Sequence, residues 1–190
     1  MYCTRSFVAA LLVLTLVGCS TTPKRDYSGA ALDQYQAALS VMKSGQNDEA
    51  ISRFVHMSKD YPTLAGPFAN LGLLYQKKGM MKEAAETFDK AIALRPESAQ
   101  IYNNAGIFYR SAGRFDDAEA AYLAAIKRAP NEAEPALNLA ILYDIYLNKP
   151  TDAIKYYKRY LSLSGDKHDK VKLWLADLER RAGTVASGSE

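Results

Sequence analysis

The sequence predicts an all-α chain built from a repeated pair of helices, and three observations carry this. Residue types recur every 34 positions: Phe68, Leu71, Gly72, Tyr75, Gly79, Ala84, Phe88, Ala91 and Pro96 return as Tyr102, Ala105, Gly106, Tyr109, Gly113, Ala118, Tyr122, Ala125 and Pro130. Within a unit the spacing is helical, since Phe68, Leu71, Gly72 and Tyr75 fall at i, i+3, i+4 and i+7. No stretch keeps the alternation of a half-buried strand for long.

Each part of the unit has a physical reason. Gly79 interrupts the chain between two helical patterns. Ala84, Phe88 and Ala91 then resume the helical spacing. Gly72 and Ala84 are small, so that the two helices can cross closely. Pro96 ends the second helix because it has no backbone donor. A 34-residue period with these types at these offsets resembles the tetratricopeptide repeat family. The resemblance covers about Ala31 to Gly165. It implies a right-handed superhelix with a concave groove.

The N-terminus is a different kind of segment. Arg5 precedes an apolar run from Phe7 to Val17, too short for a bilayer, which needs about 20 residues, but suited to the apolar region of a secretory signal. It ends Leu16-Val17-Gly18-Cys19, which resembles the bacterial lipobox. That resemblance implies a signal peptide over 1–18, cleavage before Cys19 and a covalent lipid on the Cys19 thiol. Ser20 follows, not Asp. In bacteria with the usual lipoprotein sorting, this implies the outer membrane, with the body on its periplasmic face. Residues 19–29 are polar and read as a tether, with a reach of about 35 Å at most.

The repeats are expected at about 31–64, 65–98, 99–132 and 133–166. Pro62, Gly45, Ala50 and Phe54 extend the period backwards, while Gln34, Ala37, Ala38 and Val41 depart from it, as suits an end repeat. Ala136, Leu139, Ala140 and Tyr143 extend it forwards. Tyr143 and Ala153 are then ten positions apart, where Tyr75 and Ala84 are nine apart. We expect the extra residue in the turn at Asn148-Lys149-Pro150, with Tyr157 and Tyr160 in the core beyond it. A capping helix is expected over 167–182, with Val171, Trp174, Leu175 and Leu178 as its core face, followed by a fraying tail over 183–190.

Function classes are narrowed mainly by what the sequence lacks. The only cysteines are Cys3 and Cys19, so the body has no disulfide or cysteine metal site. His56 and His168 are the only histidines, and neither has a partner at metal-ligand spacing. No nucleophile motif or phosphate loop is present. A net charge of +3 is too small to point to nucleic acid. The expectation is a protein that is not an enzyme and carries no cofactor beyond the lipid.

Asn70, Asn104 and Asn138 recur at one site of three first helices. Asparagine costs roughly 0.5 kcal/mol against alanine in a helix, so three in register need a reason. Either the amides grip a ligand backbone, or they bridge neighbouring helices. By the family resemblance this site faces the groove, with Tyr35, Lys77, Gln100, Asn103, Arg110 and Asp144. The expected role is a membrane-anchored adaptor that holds an extended or helical segment of an envelope protein. In outline it resembles the lipidated pilotins of type IV and tight-adherence pili, which aid secretin assembly. The alternatives are an adaptor that tethers peptidoglycan hydrolases or proteases, and a structural subunit of an outer-membrane assembly complex bound through its convex face.

Overall fold

The helix pair repeats because each unit's apolar face is completed only by its neighbours. A computed structural model describes residues 29–165 and 168–187. The expected signal peptide, Cys19 and the tether as far as residue 28 lie outside the described residues. The described residues form nine α-helices and no strand: α1 Gly29–Lys43, α2 Asn47–Asp60, α3 Ala65–Lys77, α4 Met81–Leu94, α5 Ala99–Ser111, α6 Phe115–Arg128, α7 Glu134–Ile141, α8 Pro150–Ser164 and α9 Asp169–Ser187. Helices α1 to α8 form four antiparallel pairs, and α9 packs on α8. The first helices α3, α5 and α7 also touch one another in sequence, whereas successive second helices barely meet. The stack therefore curves with its first helices on the inner wall. Among the described residues, no helix is long and apolar enough to cross a membrane.

Every pair is locked by a small residue and a large one from its second helix. Ala50 and Phe54, Ala84 and Phe88, Ala118 and Tyr122, and Ala153 and Tyr157 are all essentially removed from solvent. Gly72 and Gly106 sit directly beneath the second-helix rings. A Cβ on Gly106 would lie 2.6 Å from Tyr122 Cε1, and one on Gly72 2.8 Å from Phe88 Cε2. Tyrosine hydroxyls tie the layers together. Tyr109 donates to Asp89 Oδ1 at 3.1 Å, Tyr143 to Glu119 Oε1 at 2.9 Å, and Tyr157 to Asp144 Oδ2 at 3.3 Å. Burial, first, and these carboxylates raise the pKa of all three tyrosines.

Tyr122 is the exception. Its hydroxyl is buried with no hydrogen-bond partner, and burial pushes its pKa up to about 12. The equivalent ring in the preceding repeat is Phe88, which has no hydroxyl. Tyr122→Phe is therefore expected to leave the melting temperature unchanged or raise it. Tyr157→Phe loses a made bond and is expected to cost about 0.5–1.5 kcal/mol. Thermal melts of the two variants check the contrast.

The fourth repeat departs from its expected form. The extra residue is not in the turn. Gly45, Gly79 and Gly113 adopt φ of 82°, 74° and 73°, and Asn148 takes the same left-handed position at φ 49°, a conformation that asparagine tolerates better than most residues. From Gly79 to Ala84, from Gly113 to Ala118 and from Asn148 to Ala153 the separation is five positions in each case, so the turn itself has its ordinary length. The insertion lies upstream, in a π-helical turn over Leu142–Tyr146. There Leu147 N–H bonds to the Leu142 carbonyl at 3.1 Å, one residue wider than an α-helical bond. Pro150 opens α8, as expected. The last helix starts at Asp169 and continues to Ser187, past the expected end at 182, so the start of the predicted tail is helical.

Candidate protein-interaction site

The residues expected in the groove divide into bridges between repeats and side chains left open. Asn70 Nδ2 donates to the Tyr35 hydroxyl at 2.8 Å and to the Gly66 carbonyl at 3.0 Å. The Tyr35 ring meets Phe54 edge-on, with centroids 5.8 Å apart. Asn138 Nδ2 donates to Asn103 Oδ1 at 3.0 Å. Both amides thus reach the first helix of the preceding repeat. At the site where Tyr35 and Asn103 stand, repeat two has Ala69, so Asn104 meets no acceptor side chain there. This geometry favours helix bridging over ligand gripping for Asn70 and Asn138. Asn104→Ala is expected to raise stability slightly, through helix propensity. Asn138→Ala is expected to melt below it, by about 0.5–1.5 kcal/mol for the lost bond. Paired thermal melts test this.

Lys77 is exposed, with Nζ 3.4 Å from Asn47 Oδ1 at the start of α2. Gln100 is exposed at the start of α5. Arg110 is half-buried. Its Nη1 donates to the Asn138 carbonyl at a long 3.5 Å, and its guanidinium carbon lies 5.9 Å from the Tyr146 ring centroid. Asp144 turns the other way, towards α8 and α9. Its side chain is only 8% exposed and receives Tyr157 Oη and, at 3.4 Å, Arg181 Nη2.

Asp144 lies in the wall of a cavity of about 370 Å³ between the fourth repeat and α9. Ile141, Ile145, Tyr157, Leu173 and Trp174 supply its apolar lining, and Asp144, Asp177 and Arg181 its polar edge. Ile145 is 67% exposed and Leu173 70%. Helical spacing puts Trp174 in the core; instead it is 37% exposed, with its ring 6.3 Å from that of Tyr157. Val171 and Leu178 of α9 are buried in the core, and Leu175 packs partly buried against it, as expected. Asp177 binds both Arg180 and Arg181, and these bonds hold its carboxyl below the ordinary range.

The π turn builds this opening. Repeats two and three place three residues between their tyrosine and the left-handed turn residue: Gln76 to Lys78 and Arg110 to Ala112. The fourth places four, Asp144 to Leu147, and two of them, Ile145 and Tyr146, are exposed apolar side chains. Tyr146 packs on Phe115 with centroids 5.2 Å apart. Leading into the pocket is a half-buried aliphatic stripe of Leu39, Leu73, Ile107 and Ile141 along the first helices. These four are also 34 positions apart. That periodicity was a signal in the sequence, as was the inserted residue.

A curved stack of helix pairs with an open apolar pocket is a protein-interaction scaffold. The family model of the tetratricopeptide repeat matches residues 70–133, and the described body as a whole has the tetratricopeptide fold. Pseudomonas aeruginosa pilF is similar at 25% identity with a TM-score of 0.74, over 82% of this chain and 70% of that one. MamA 41-end from Desulfovibrio magneticus RS-1 is similar at 18% identity and TM-score 0.70, over 83% and 88% of the two chains. The thermophilic repeat protein TTC0263 of Thermus thermophilus is similar at 20% identity and TM-score 0.64, over 80% and 83%. The last two likenesses are of fold alone. No curated protein matches the chain.

Proposed function

We propose that this chain is a non-enzymatic adaptor, lipid-anchored through Cys19 on the periplasmic face of the bacterial outer membrane, that aids assembly of a pilus- or secretin-type complex. The observation that carries the adaptor reading is the pocket between the fourth repeat and α9. The large apolar side chains exposed among the described residues are Leu32, Met81, Leu123, Ile145, Tyr146, Leu173 and Trp174. Three of these line the pocket and Tyr146 adjoins it. Concentrating exposed apolar surface at one concave place favours a docking site there over a subunit held by its convex face. The lipid reading rests on the Leu16-Val17-Gly18-Cys19 sequence, and the pilus reading on the likeness to pilF.

Cys19→Ala is expected to release the protein from the membrane fraction. The acyl chains would be the main anchor, contributing about 0.8 kcal/mol per buried CH₂. Fractionation after lysis measures this. A variant that still pellets with outer membranes in cells lacking its partners would overturn the anchor. A pull-down from solubilised envelope with the mature chain as bait is expected to recover a pilus or secretin component. Recovery of a peptidoglycan hydrolase or protease instead would replace that pathway with the tethering role.

A further inference from the structure

We propose that the pocket receives an amphipathic partner segment whose apolar side chains enter it and whose carboxylate, about two helical turns away, is bound by Arg110. This rests on the reading of the pocket as a docking site and adds the chemistry of the occupant. The apolar part follows from the lining. Ile141, Ile145, Leu173 and Trp174 offer aliphatic and aromatic surface in a volume suited to one or two large side chains.

The charge preference follows from which ionic groups are already answered. Asp144 is held by Tyr157 and Arg181, and Asp177 by Arg180 and Arg181. A partner charge at that edge meets groups with their own counter-charges. On the opposite side of the π turn, Arg110 is half-buried, and no carboxylate of the described residues pairs with it. Its neighbours are neutral: the Asn138 carbonyl at 3.5 Å and the Tyr146 ring. A guanidinium partly removed from water without an anion is a site that a carboxylate completes, with a charge-assisted, two-pronged bond available. Tyr146 touches Arg110, while its neighbour Ile145 lines the pocket. Arg110 is already 5.9 Å from the Tyr146 ring, more than one helical turn, so a partner helix needs two turns, about 11 Å, to serve both. Lys77, further along the inner wall, adds positive charge of the same sign.

Three fluorescently labelled synthetic peptides test this against the full mature chain in lipid nanodiscs. All carry the same leucines at i, i+3 and i+4, and they differ only in having glutamate, glutamine or lysine two turns away. The expected order is glutamate over glutamine over lysine, with at least a tenfold span in Kd. Arg110→Gln should reduce that span to threefold or less, and Arg110→Glu should invert it. If either variant fails to fold, salt decides on the wild type: rising salt should weaken the glutamate peptide and leave the glutamine peptide unchanged. Ile145→Asp should weaken all three. Equal affinities for the three peptides, still lost in Ile145→Asp, would overturn the charge preference while the docking site stands. If no peptide binds, or if Ile145→Asp has no effect, the docking site falls and this inference with it. Labelled-peptide binding that declines as the chain is concentrated would mean that a second copy fills the pocket, and would overturn the proposal as well.

Discussion

Gly106→Leu should destabilise the folded body by roughly 3 kcal/mol or more, the upper end for overpacking a dense core. The reason is specific. A bare Cβ at this position already lies 2.6 Å from Tyr122 Cε1 and 2.7 Å from Cδ1. Tyr122 is fully buried and belongs to the same core cluster as Phe88, Phe108 and Leu139, so its ring has no free space to enter. Leucine adds three more carbons to that clash. Because α5 and α6 are an inner pair, flanked by α3–α4 and α7–α8, the strain reaches the repeats on both sides. Denaturant unfolding should show a large fall in midpoint. Adding Tyr122→Ala, which removes the ring that Gly106 faces, should recover part of the loss. A midpoint unchanged in Gly106→Leu would mean that α5 and α6 do not cross at this residue.

Trp174→Ala should behave in the opposite way, with little effect on the fold and a large one on binding. The ring is partly exposed and stands over the pocket beside Tyr157, with Lys170 Nζ 5.1 Å from its centroid. Val171, Leu175 and Leu178 pack α9 on the core, and Glu179 and Arg181 pair with Lys158 and Asp144. Aromatic residues at the centre of a docking pocket commonly contribute about 2 kcal/mol or more. The expected loss of partner affinity is therefore about thirtyfold or greater, with a melting temperature within a few degrees of wild type. Titration of the partner and a melt on one preparation would give both values. A strong fall in stability with unaltered affinity would return Trp174 to the core role that its helical spacing suggested.

The fold was legible because its determinants are local and periodic. Gly72 and Gly106, Ala84 and Ala118, and Phe88 and Tyr122 each report one helix crossing, and their repetition gives the stack. The site was less legible for two physical reasons. Trp174 shares a helical face with Val171 and Leu178, and spacing alone places it in the core. What decides its exposure is how far α9 covers the fourth repeat, which no local pattern records. The inserted residue was visible between Tyr143 and Ala153, but a turn and a helix absorb an insertion equally well in sequence. Asn148 settles the matter by occupying the glycine position of the turn, which forces the extra residue into Leu142–Tyr146. The asparagine series was visible too. Its role depended on what stood at the facing site of the preceding repeat: Tyr35 and Asn103 where a bridge forms, and Ala69 where it does not.

The central claim is that the partner docks where the π turn opens the stack. Site-specific photocrosslinking in intact cells tests it most directly. A photoreactive residue at Ile145, which is 67% exposed, alters no packed contact of the core. Lys90, exposed on the second helix α4, serves as the outer-face control. The account predicts a discrete adduct from position 145 and none from position 90. An adduct from position 90, with none from position 145, would contradict it.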